Sequence, residues 1–197
     1  MPKNEDLHGN APDKSEVVLL IIDMISDFEF DSGAKILPFA EAIAKNIAAL
    51  KKKAEKAGVA VVYVNDNFGK WRSDFTKQLK HSQSKSVRGH KIARLLAPKT
   101  DDYFVLKAKH SAFYSTTLDL LLAYLRAKTL ILTGVASDIC ILFTANDAYM
   151  RDFNLYVPID CVAAKDEQTN EATLKYIERV LKADIKPSTE INFKILN

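Results

Sequence analysis

Three side chains able to do chemistry stand at or just past the ends of apolar runs. Asp23 follows Val17–Ile22, Lys107 follows Tyr103–Leu106, and Cys140 lies beyond Thr129–Thr133 in the turn Gly134-Val135-Ala136-Ser137-Asp138-Ile139-Cys140. A thiol attacks a carbonyl carbon as its thiolate, which a neighbouring ammonium and the positive end of a helix both favour. An aspartate beside it can take the thiol proton and later hand it to a leaving amine. Singly, each residue has an ordinary use: a cap, a solvated cation, a packed thiol. Together on one edge of a sheet they make a nucleophile, a base and a charge holder.

The elements that must bring them together are legible as an alternation. Short runs rich in Val, Ile and Leu occur at Val17–Ile22, Val59–Val64, Tyr103–Leu106, Thr129–Thr133 and Leu155–Ile159, without polar alternation, as strands covered on both faces require. Between them, helical spacing predicts helices over Pro38–Ala57, Thr117–Arg126, Ile139–Arg151 and Thr169–Leu181, the first opened by Pro38 and stopped by Gly58. The alternation predicts an α/β fold of three layers, α/β/α, with a mainly parallel sheet of about six strands, Ile191–Ile195 being a candidate for the last. Such sheets place ligands at the carboxyl ends of their strands, where Asp23, Lys107 and Cys140 all fall.

Residues 1–15 read as a flexible arm and residues 16–197 as a single domain. The stretch Asn65–Gly89 is polar and long for a connection, and it carries the only tryptophan, Trp71, next to Arg72. It reads as a lid on the substrate side, with Trp71 and Arg72 as candidate substrate-binding residues that could frame a small planar or carboxylate-bearing amide.

Composition narrows the classes. With 28 basic and 25 acidic residues, a net charge of +3 gives no reason to expect nucleic acid or a membrane surface as partner. No apolar run could span a bilayer, and the first residues lack the apolar stretch of a signal peptide. The expected setting is cytoplasmic, where the two cysteines, Cys140 and Cys161, are free thiols. They form no Cys/His ligand pattern, so neither a metal nor another cofactor is expected.

The segments Leu19-Leu20-Ile21-Ile22-Asp23-Met24-Ile25-Ser26-Asp27-Phe28, Lys107 with Ser111-Ala112-Phe113-Tyr114, and Gly134 to Cys140 resemble those of the isochorismatase-like cysteine hydrolases, in the same order. This group includes nicotinamidases and N-carbamoylsarcosine amidases, and the resemblance runs from about Val17 to Ala164. It implies a catalytic triad of Asp23, Lys107 and Cys140, a cis peptide between Val135 and Ala136, and an oxyanion hole made by the backbone N–H groups of Ala136 and Cys140. It also implies a homo-oligomer. Lys109 is the rival for the lysine role, but Lys107 fits the spacing to Ser111 better.

Departures from the group narrow the expected reaction. Its nicotinamidases hold a divalent metal with an aspartate and histidines after the second strand, whereas Asn65 to Arg72 contains no histidine, and His81 and His90 lie later in the chain. Its vinyl-ether-cleaving isochorismatases lack the cysteine that stands here as Cys140. The expectation is therefore hydrolysis of a small amide or related C–N bond through a thioester. A vinyl-ether hydrolase, a metal-dependent nicotinamidase and a non-catalytic or redox-sensing protein of the same fold are the alternatives.

Overall fold

All six residues of the first strand, β1 (Val17–Ile22), are buried, and they serve two cores at once. Side chains alternate across a strand. Val17, Leu19 and Ile21 therefore enter a core shared with helix α1 (Gly33–Lys56) and helix α3 (His90–Leu95), while Val18, Leu20 and Ile22 enter another. That second core is completed by helices α4 (Leu118–Leu125), α5 (Leu142–Tyr149) and α6 (Glu167–Leu181). These are the two outer layers of the computed structural model, which describes residues 14–196.

The sheet between them is parallel and has six strands. Strands β2 (Ala60–Asp66), β3 (Tyr103–Lys107), β4 (Thr129–Val135) and β5 (Asn154–Tyr156) join β1 in the order β3-β2-β1-β4-β5. The short β6 (Val162–Ala163) pairs with the carboxyl end of β4. Ile22 lies opposite both Val64 and Gly134, and Asp66 lies opposite Lys107. The register thus puts the ends of β1, β2, β3 and β4 side by side.

Gly134 makes that alignment close. Its φ is +117°, and a Cβ there would lie 2.0 Å from the Ile22 carbonyl oxygen, so only glycine fits.

Several local expectations are corrected. Helix α1 begins at Gly33 and holds Pro38 inside it rather than in its first turn. Pro38 and Ala34 are both exposed, so water can meet the carbonyl that proline leaves without a helical donor. Ile191–Ile195 is not a strand. A 3₁₀ turn (Ser188–Glu190) and a short helix, α7 (Phe193–Leu196), carry Ile191 and Phe193 into the core beneath α1, and β6 supplies the remaining strand.

The stretch after β2 is more ordered than a loose lid. Asp74 caps helix α2 (Phe75–Ser82) by accepting the Lys77 N–H at 2.8 Å, and Phe75 is buried, stacked on Phe104 with ring centres 4.8 Å apart. Most of the expected N-terminal arm, with His8, falls outside the described residues. Ser15 is buried, and its Oγ accepts the Ala60 N–H at 2.9 Å. Among the described residues no helix is long and apolar enough to cross a membrane.

Candidate active site

The site is a charge cluster at the carboxyl edge of the sheet. Lys107, the last residue of β3, is 1% exposed, and its Nζ lies 2.9 Å from Asp23 Oδ2 and 3.4 Å from Cys140 Sγ. Asp23 turns the chain out of β1 with φ of 55°, a left-handed conformation that aspartate tolerates better than most residues. Its backbone N–H donates to the Val64 carbonyl at 2.8 Å, and its Oδ1 accepts the Asp66 N–H at 2.7 Å. The carboxylate is thus aimed by a backbone donor on one oxygen and an ammonium on the other.

Cys140 sits in a π-helical turn, Ser137–Ile141, that runs on into α5. The peptide bond between Val135 and Ala136, just before this turn, is cis. The amides of Ile139 and Ile141 both donate to the Ala136 carbonyl at 3.1 Å. The Cys140 amide lies between these two donors.

A clamp outside the charged groups holds the strand of Lys107 against the helix that follows Cys140. Ser111 Oγ donates to the Asp147 carboxylate, and the Ala112 N–H donates to Thr144 Oγ1 at 3.0 Å. Arg151 pairs with Asp119 at 2.9 Å and lies 4.6 Å over the Phe113 ring. The loop after β3 is therefore tied to α4 and α5 at several points.

Electrostatics correct one expectation. The surroundings of Cys140 work against its thiolate rather than for it. Burial, and then the Asp23 charge, push its pKa up, and Lys107 only partly opposes them. Burial works against the Lys107 ammonium, but Asp23, Cys140 and Asp66 outweigh it and hold that pKa above the ordinary lysine value. Cys161 is fully buried, and its thiol is pushed up to about 12, mainly by burial.

Asp23, Lys107 and Cys140 are thus in contact, while the rival Lys109 is exposed beyond the end of β3. Trp71 and Arg72 make no contact with them among the hydrogen bonds, ion pairs and ring contacts of the described residues. Both lie in an exposed turn, Trp71 at 78%, and neither side chain makes a hydrogen bond, ion pair or ring contact among the described residues. His81 pairs with Asp27 at 2.9 Å and His90 Nδ1 with the Val87 carbonyl at 2.8 Å. Among the described residues no three His, Cys, Asp or Glu side chains gather as a metal site would need.

Asp66 belongs to the cluster and escapes the sequence reading. Its carboxylate is 3.6 Å from Lys107 Nζ. The available signal was positional: β2 runs through Asp66, so this residue ends its strand on the same edge as the others.

The fold and this cluster define a hydrolase of the isochorismatase type, and comparison with known proteins agrees. The Isochorismatase domain family matches residues 17–184. The "Uncharacterized isochorismatase family protein YaaI" of Bacillus subtilis (strain 168) is 41% identical over 180 residues, covering 90% of this chain and 97% of the relative. The crystal structure of N-carbamoylsarcosine amidase from Thermoplasma acidophilum is 28% identical with a TM-score of 0.70, over 90% of this chain and 99% of that one. That of pyrazinamidase/nicotinamidase from Streptococcus mutans UA159 is 29% identical with a TM-score of 0.65, over 86% and 99%. The chain belongs to the isochorismatase-like hydrolase family.

Proposed function

We propose that the protein hydrolyses the C–N bond of a small amide through a thioester on Cys140. The observation that carries this reading is the buried Lys107 ammonium, which touches both the Asp23 carboxylate at 2.9 Å and the Cys140 sulfur at 3.4 Å. The amidase names of two solved structures with the same fold support the choice of bond.

In this mechanism the thiol keeps its proton until a carbonyl is seated. Asp23 then takes the proton as sulfur attacks the carbonyl carbon, and the carbonyl π electrons move onto oxygen. The backbone N–H groups of Ala136 and Cys140 receive that oxyanion. Lys107 holds the thiolate charge as it forms and keeps Asp23 in place. The intermediate collapses, the C–N bond breaks, and the leaving nitrogen takes the proton from Asp23. Water then gives a proton to Asp23 and attacks the thioester. The acid departs, and the sulfur recovers its proton from Asp23.

Ammonia release from a panel of small amides, together with intact mass spectrometry for an acyl group on Cys140, tests the proposal. Turnover should fall by roughly 10⁴-fold or more in Cys140→Ala, and comparably in Asp23→Asn, since the groups act as a unit. No turnover of any amide and no acylated Cys140 would sink it.

A further inference from the structure

Asp66 has no part in the steps just described. Its backbone N–H holds Asp23 Oδ1 at 2.7 Å, and its own Oδ1 accepts the Phe68 N–H at 2.7 Å. Its side chain is 28% exposed, against 11% for Asp23 and 0% for Lys107. Within the cluster, exposure therefore rises from Lys107 through Asp23 to Asp66, which is its most exposed charged group. Among the described residues no other basic side chain forms an ion pair with Asp23 or Asp66. Two carboxylates against one ammonium leave the cluster with net negative charge while Cys140 keeps its proton. Arg72, the candidate cation for a carboxylate-bearing substrate, lies in an exposed turn and forms no ion pair among the described residues.

We propose that Asp66 is a specificity-determining residue: its carboxylate turns away substrates carrying a carboxylate beside the scissile carbonyl and selects uncharged amides, whose N–H groups it can accept. The substrate class rests on the hydrolase reading. The test does not, because it needs only the Cys140 thiol.

Iodoacetate and iodoacetamide alkylate a thiol by the same step: an S–C bond forms, iodide leaves, and the thiol proton passes to solvent. The two reagents differ by one negative charge. Their rates at Cys140 in the full chain are followed by peptide mass mapping, which separates Cys140 from Cys161. The same pair of rates is measured on 2-mercaptoethanol, an uncharged free thiol. Cys140 in wild type should disfavour iodoacetate more strongly than 2-mercaptoethanol does. One unit charge at roughly 6 Å is worth a factor of about 3 in water-like surroundings and about 100 at an effective dielectric of about 20. Asp66→Asn, which can still accept the Phe68 N–H, should recover a factor in that range, while Asp66→Glu should keep the discrimination. A wild-type ratio equal to that of 2-mercaptoethanol, or a folded Asp66→Asn with the wild-type ratio, would overturn the proposal. Should Asp66→Asn not fold, wild type in 1 M salt replaces it: the Debye length of about 3 Å there must move the ratio toward that of 2-mercaptoethanol, and an unmoved ratio refutes the role of charge. Discrimination without any amide turnover would refute the hydrolase reading alone, and turnover without discrimination would refute only the role of Asp66.

Discussion

The ends of β1, β3 and β4 have little freedom, whereas the connection after β2 mixes a fixed helix with an exposed turn. At the strand ends, Asp23 is held by the Asp66 amide and the Lys107 ammonium, and the turn to Cys140 follows a glycine against which no side chain would fit. In the connection, Phe75 of α2 is buried against Tyr63 and Phe104, while Trp71, a few residues earlier, is almost wholly in solvent. The contrast separates two jobs. Reacting groups need fixed distances, which backbone register supplies; a surface that meets varied molecules can sit on a turn that contributes little to stability.

Four variants and a pH series can break or sharpen this contrast. Lys107→Met should do most damage: about 3–5 kcal/mol of stability in urea unfolding, because buried Asp23 loses its counter-charge, with amide turnover lost as well. A stable variant with turnover intact would show that the ammonium holds neither partner.

Gly134→Ala should cost a similar amount, about 3–5 kcal/mol, since the new Cβ meets the Ile22 carbonyl at a φ that alanine adopts poorly. Phe75→Ala tests the other region. If α2 is fixed by packing, its loss should cost about 3–4 kcal/mol, whereas a change below about 1 kcal/mol would mark α2 as a loose cover.

The pH series concerns the thiol. The folded chain holds the Cys140 proton more tightly than the unfolded chain does. That stabilisation is full below the ordinary thiol pKa and is lost as pH rises through the folded value. Above pH about 8.5, wild type should therefore lose up to about 1.4 kcal/mol per pH unit more than Cys140→Ala, with Cys161 common to both. Superimposable alkaline curves would mean that folding does not tighten the hold on the Cys140 proton. The smallest effect belongs to Trp71→Ala with Arg72→Ala: thermal and urea stability should stay within about 0.5 kcal/mol of wild type, and a larger loss would show hidden packing in the turn.

The difference between the regions also decided what could be read from sequence. An apolar run such as Val17–Ile22, followed by an aspartate, announces both a doubly covered strand and its functional end, because burial on both faces leaves no room for polar residues. Asp23 and Cys140 were legible for that reason. Lys107 closes the edge strand β3, where Phe104 is exposed, and was legible only from its short apolar run. Asp66 was not, because β2 continues past its apolar run through Asn65, whose buried Nδ2 donates to the Ile25 carbonyl at 3.0 Å. A polar residue with an internal partner looks from sequence like the start of a loop. The same applies to α2, whose hold on the fold comes from Phe75 meeting Phe104, a contact distant in sequence. Ile191–Ile195 shows the reverse error. Its alternation suits a strand, but Ile191 and Phe193 fill space beneath α1 instead.

The contact between Gly134 and the Ile22 carbonyl also bears on how such a site could acquire new substrates. Because main chain lies against main chain there, the gap between the Asp23 and Cys140 backbones cannot be widened or narrowed by exchanging side chains. Variation in what the site admits therefore has to enter through side chains around it rather than through this contact. The chemistry and the choice of substrate can then change independently, and a chain of this kind can be retuned for another small molecule without rebuilding what attacks it.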